Sequence, residues 1–153
     1  MPIDIGLTDD QRKKSVEAIR KVLGETYALY SKTHSYHWNV TGPRFQSLHA
    51  MFMEQYTELW AALDELAERI RALDYYAPAS TEEMYSYATI RADNGVPDAE
   101  AMVTNLSKGH EAVARAAREG VAAVAEFDDV TADMLTQRAT IADKTAWMLR
   151  ASL

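Results

Sequence analysis

Between Arg44 and Leu73 apolar side chains return every three or four positions: Phe45, Leu48, Phe52, Tyr56, Leu59, Leu63, Leu66 and Ile70. That spacing lines one face of an α-helix, and no glycine or proline interrupts the segment. A helix this long cannot bury its stripe alone and must pack against partners of similar length. The chain supplies them. A first helix is expected from Asp9 to Asn39, with Thr8 as N-cap, Asp9 and Asp10 in its first turn, and Val16, Ile19, Val22, Leu23, Tyr27 and Tyr30 inward. Gly42-Pro43 ends it, and Pro43 is placed to open the second helix, Arg44 to Leu73. A third is expected from Pro97 to Phe127, with Met102, Leu106, Val113, Ala117, Val121 and Val124 as its stripe. Asp128-Asp129 break it, and a fourth runs from Val130 to Arg150 with Met134, Ile141, Thr145 and Met148 inward.

Between the second and third helices lie a loop, Asp74 to Ala79, and a short helical turn near Thr81 to Tyr85 with Ser80 and Glu83 in capping-box spacing. So long a connection points to a crossover. The expected fold is all-α, a four-helix bundle with a short helix in the crossover, as a single domain over residues 1–153.

Composition excludes several chemistries. There is no cysteine, hence no disulfide, thiolate zinc site or cysteine nucleophile. No signal-peptide pattern is read at the start, and no apolar run nears the ~18 residues of a membrane span, so an intracellular protein away from the membrane is expected. A net charge of -7 is the wrong sign for a phosphate-backbone binder and suits attraction of cations. The basic clusters Arg12, Lys13, Lys14 and Arg69, Arg71 read as solvated helix faces.

The chemistry concentrates between His34 and Ala72. Asp64 and Glu68, four apart, share one helix face. His34 and His37 share a face near the end of the first helix, and the Gly42-Pro43 turn brings His49 near them. Imidazoles with carboxylates suit iron, manganese or zinc, although each residue alone also fits a packing or surface role. Fifteen residues separate His49 from Asp64 on one helix. At ~1.5 Å per residue that is about 22 Å, too far for one metal ion to bridge. Either the two groups are unrelated, or the site is shared between chains. An antiparallel pairing of second helices in a two-fold dimer would bring the histidine end of one copy to the acid end of the other.

HWNVTGPRFQSLH followed by DELAERIRAL resembles the signature of Dps proteins, the mini-ferritins, and DDVTADMLTQR with DKTAWMLR resembles their C-terminal pattern. The resemblance covers nearly the whole chain. It implies a ferritin-like bundle assembled into a hollow dodecamer, a homo-oligomer that binds Fe(II), oxidises it with hydrogen peroxide in preference to dioxygen, and stores ferric mineral. It implies an intersubunit ferroxidase centre of His37 and His49 from one subunit with Asp64 and Glu68 from its two-fold partner, and Trp38 beside it as an interceptor of radicals. Protection against oxidative stress and a cytoplasmic location, with nucleoid association as the alternative, go with it.

The pattern departs at one place. Family members carry Asp or Glu four residues after the second histidine; here that residue is Met53, a soft thioether and a weak partner for iron. Glu54 is rotated ~100° away. His34 remains a candidate ligand for a second metal, or else a packing residue. Asp128, Asp129 and Asp133 fall where the resemblance implies an acidic iron-entry pore at the three-fold axis; the alternative is helix capping by Asp129. His110 lies on the apolar stripe of the third helix and reads as a core residue, while Trp60, Trp147 and the methionines read as packing for core or interfaces. DNA binding is expected to be weak, since basic residues near the start lie against the first helix. The competing functions are a structural or nucleoid-associated shell with a degraded metal site, and a shell that binds zinc or another divalent metal for stability.

Overall fold

The computed structural model describes all 153 residues. Five helices follow in order: α1 (Asp9–Asn39), α2 (Phe45–Ala72), α3 (Thr81–Ser86), α4 (Ala99–Val124) and α5 (Asp129–Arg150). The all-α bundle expected from periodicity is the architecture found. Thr8 starts α1 with a full capping box: its hydroxyl accepts from Gln11 N–H at 3.2 Å, and Gln11 Oε1 accepts from Thr8 N–H at 3.0 Å. Gly42, at φ +111, makes the turn that ends the first unit. Arg44 rather than Pro43 then flanks α2, without a side-chain cap. Asp98 caps α4 by accepting from Ala101 N–H at 2.8 Å, which leaves Pro97 outside the helix.

Close approaches define the topology. Gly109 lies against Leu29, and Gly120 lies against Ala18, so α4 runs antiparallel to α1. Arg118 pairs with Asp143 and Arg150 with Glu111, so α5 runs antiparallel to α4. Since α2 returns from α1 through a short turn, α2 and α4 are parallel and need the crossover that contains α3. Two features of α1 seat that crossover. Gly24 admits the α3 backbone: a Cβ there would stand 2.7 Å from Tyr87 Cβ and 2.8 Å from the Met84 carbonyl. Next to it, the buried Glu25 carboxylate accepts from the N–H groups of Thr89 and Ile90 and from the Thr89 hydroxyl.

The core falls into two apolar clusters. One includes Ile19, Leu23, Leu66, Ile70 and Leu135; the other includes Leu29, Tyr36, Phe52, Leu106 and Leu149. The inward face of α5 differs from the expected one. Its buried residues are Thr131, Ala132, Leu135, Arg138, Ala139, Ala142, Ala146 and Leu149, while the expected Met134, Ile141 and Thr145 are half-buried and Met148 is exposed. Small alanines, invisible to a search for bulky residues, make up half of that face. Arginines bridge α2 and α5. Arg69 donates to Thr131 at 3.0 Å and to Asp128 at 3.2 Å, and Arg138 lays a two-pronged bond on Glu58 at 2.7 Å each. Arg12 likewise donates to the Leu73 carbonyl, so Arg12 and Arg69 are largely enclosed rather than solvated as expected. No helix is long and apolar enough to cross a membrane.

Candidate metal centre

The last carbonyls of a helix have no partner within it. At the end of α1 the His37 carbonyl is one of these, and His49 Nδ1 lies 2.6 Å from it. In return His37 Nδ1 lies 2.7 Å from the His49 carbonyl. A carbonyl only accepts, so each Nδ1 carries the proton and donates. Both Nε2 atoms are thereby left as lone-pair donors, the tautomer that a metal requires and that this kind of backbone contact fixes in metal-ligating histidines. The two rings stack with centroids 3.8 Å apart and planes 12° from parallel. Phe45 stacks on the far side of His49 at 4.9 Å, and Tyr56 meets His37 edge-on at 5.2 Å. The Gly42-Pro43 turn thus joins His37 and His49 as the sequence implied, and holds their rings in one orientation.

His34 belongs to the same aromatic cluster but is bonded otherwise. Its Nδ1 lies 3.0 Å from the Tyr30 hydroxyl, and its ring stacks on Tyr56 at 3.9 Å and meets the tilted Trp38 ring at 4.3 Å. Burial, with help from the His37 charge, pushes its pKa down. Trp38 is 65% exposed and touches the site through His34. The sequence reading missed Tyr30 and Tyr56 as the support of this cluster. Their spacing from His34 and from Phe52, one helical turn each, was the available signal.

Asp64 and Glu68 stand exposed on the second half of α2. Because α2 is one unbroken helix, the ~22 Å between His49 and Asp64 stands. No three His, Asp or Glu side chains of a single chain come together as a metal cluster. Around Asp64 the surface is apolar: Trp60, 64% exposed, together with Leu63, Ala67 and Met84 lines a hollow of about 600 Å³. Met53 is 51% exposed on the turn after His49, and no carboxylate replaces it on that face.

At the start of α5 the three aspartates separate. Asp128, not Asp129, is the N-cap, accepting from Thr131 N–H at 3.0 Å. Its carboxylate is 2% exposed and also accepts from Ser15, the Thr131 hydroxyl and Arg69. Burial alone would raise its pKa; those hydrogen bonds and the guanidinium outweigh burial and hold it below the usual carboxylate range. With its oxygens committed inward, Asp128 offers none to a surface pore. Asp129 and Asp133 are exposed. His110 is in the core as expected, and burial together with the Arg138 charge pushes its pKa down to about 3.

The ferritin-like domain family matches residues 16–153. A low temperature-induced protein of Nostoc is 42% identical over 151 residues, covering 97% of this chain and 84% of the relative. The DNA protection during starvation protein 2 of Bacillus anthracis is 35% identical over 142 residues, covering 92% and 97%. Among solved structures, the Dps protein of Vibrio cholerae, described as a member of the ferritin-like diiron-carboxylate superfamily, superposes with a TM-score of 0.92 at 30% identity, over 99% of this chain and 96% of that one. A Dps protein of Bacillus brevis superposes with a TM-score of 0.89 at 29% identity, over 95% and 98%. Fold, length and sequence agree, and the chain belongs to the Dps family of ferritin-like proteins.

Proposed function

We propose that this protein is an iron-storing mini-ferritin that oxidises Fe(II) at a centre shared by two copies of the chain. The observation that carries the reading is the reciprocal bonding of His37 and His49, which commits both Nδ1 atoms to backbone carbonyls and leaves both Nε2 atoms of the stack for a metal. Asp64 and Glu68 of the partner copy complete the donor set, because no acid of the same chain joins the histidines. The exposed apolar surface of α2 around Asp64, with Trp60 and Leu63, supports an antiparallel dimer in which that surface is covered. In twelve copies such dimers would form the hollow shell.

In this reading His37 and His49 hold the Fe(II) substrate, and the partner carboxylates offset its charge and favour the ferric product. Two Fe(II) and one hydrogen peroxide with two protons give two Fe(III) and two waters, and no hydroxyl radical leaves the site. Asp129 and Asp133, without Asp128, mark the entry path. The net charge of -7 goes with attraction of cations and weak affinity for DNA. A cytoplasmic location fits the same role.

Met53 favours a second reading of the same centre, in which one tight metal position remains and zinc competes for it. An anaerobic Fe(II) titration of the assembled protein, followed by peroxide and ferric absorbance, separates the two. Two irons per site with fast oxidation support the paired centre; one iron per site with slow oxidation supports the single position. His37→Ala, His49→Ala, Asp64→Asn and Glu68→Gln are each expected to slow oxidation at least ~10-fold, the scale of a lost ligand or its support. Unchanged rates in assembled variants would reject the ferroxidase assignment.

A further inference from the structure

Where the crossover leaves α3 and runs past α1 and α4, basic side chains surround a hollow of about 280 Å³. Lys32 comes from α1, Arg91 and Asp93 from the crossover, and Asn105 and Lys108 from α4. Asn105 and Lys108 are three residues apart and share a helix face. Gly109, beside Lys108, admits Leu29 of α1, so the two helices that supply the walls are close here. Lys32, whose side chain is 11% exposed, donates to the Arg91 carbonyl at 2.9 Å and pairs with Asp93 at 3.2 Å. The other Asp93 oxygen accepts from the Tyr36 hydroxyl at 2.6 Å, and that hydroxyl accepts from Asn105 Nδ2 at 3.1 Å. Asp93 is the only acid in the lining, and both of its oxygens are taken.

Charge decides what the hollow can take. Three cations face that one acid, so two positive charges are left over in a chain whose net charge is -7. Arg91 and Lys108 are exposed, and neither pairs with a carboxylate. Arg91 spends one N–H, on the Ala88 carbonyl, and keeps the rest of its guanidinium fork. A concave site with a surplus of one sign gathers counter-ions and repels metal cations. A phosphate group carries about 1.5–2 negative charges at neutral pH, which matches the surplus. The guanidinium fork grips two of its oxygens at once, whereas a lone carboxylate would leave one cation unmatched.

We propose that this hollow is a phosphate site, in which Arg91 and Lys108 bind the anion and Asn105 donates its second amide N–H to it. Lys32 holds the Arg91 backbone in place and takes up the charge of Asp93. None of the residues of the proposed metal centre lines the hollow, so the site stands apart from iron oxidation.

Calorimetric titration of inorganic phosphate into the assembled, iron-free protein tests it. One phosphate per chain is expected. Arg91→Gln and Lys108→Gln should each weaken binding at least ~10-fold, the scale of a hydrogen bond between charged groups. Lys144→Gln, which removes an exposed charge from α5, should leave it unchanged. Acetate should bind at least ~10-fold more weakly than phosphate, since it meets the guanidinium with less charge. Absence of saturable binding, equal weakening in Lys144→Gln, or acetate as tight as phosphate would each overturn the site. Phenyl phosphate added to the phosphate-saturated protein distinguishes the source of the group. Displacement makes an esterified phosphate the ligand, its absence leaves the free ion, and either result supports the site.

Discussion

Single side chains decide how this protein responds to acid. His110 sits in the core with a pKa pushed down to about 3, whereas in the unfolded chain it titrates near ~6.5. Below that value the unfolded state binds a proton that the folded state refuses. Stability is therefore present above pH ~6.5 and is lost as pH falls, at up to ~1.4 kcal/mol per unit. Thermal midpoints of wild type and His110→Phe measured from pH 7 to pH 4 should converge from the wild-type side, because the variant lacks this loss. Asp128 contributes in a lower window. Its carboxyl is held below the ordinary range, so its stabilisation is present above the unfolded value of ~3.9 and disappears as pH falls through the folded value. Asp128→Asn keeps a cap for Thr131 but removes the charge that faces Arg69. It should cost about 2 kcal/mol at neutral pH, the range for a hydrogen bond to a charged group, with the gap closing in acid. Denaturation of both proteins across that range measures it. Neither residue's environment was legible in the chain: DDVT reads as a cap from its composition, but which Asp caps depends on Ser15 and Arg69 arriving from other helices.

At the scale of elements, the long helices follow from periodicity and the crossover from a close approach. Gly24 carries no sequence mark that distinguishes it from a tolerated helical glycine, yet the backbone of α3 rests on it. Gly24→Ala places a methyl group 2.7 Å from Tyr87 Cβ and 2.8 Å from the Met84 carbonyl, contacts that neither backbone nor Cβ can give way to cheaply. The expected outcome is a loss of about 1–3 kcal/mol and faster amide exchange over Thr81–Ser86 than over α1, as α3 lifts. Unchanged exchange there would mean that the crossover is held by Glu25 and Thr89 instead. The face of α5 was misread for a related reason. Alanine contributes little to a hydrophobic pattern but fits where α4 and α5 pack closely, so burial there is set by the partner helix and not by the side chain's own apolarity.

At the scale of the whole molecule, the proposed centre has a consequence that a single-chain site would not. Chains carrying His37→Ala with His49→Ala, and chains carrying Asp64→Asn with Glu68→Gln, are each expected to be inactive alone. Unfolded together in equal amounts and reassembled, half of the two-fold pairs would be mixed, and each mixed pair would regain one intact site of its two. About a quarter of wild-type Fe(II) oxidation should return, a figure set by two-fold symmetry alone. No recovery in reassembled shells would place the histidines and acids in unrelated roles.

Sequence periodicity alone sufficed for the long helices, their order, the Thr8 cap and the length that keeps His49 and Asp64 apart, because these depend on neighbours within a few turns. The sequence also carried the family pattern and its departure at Met53. Packing of the helices was needed to show that His37 and His49 bond through each other's carbonyls and that Tyr30 and Trp38 flank His34. It alone buried Asp128 against Ser15, Thr131 and Arg69. Those outcomes join residues tens of positions apart, and their hydrogen-bond partners and solvent exposure exist only once the helices have packed.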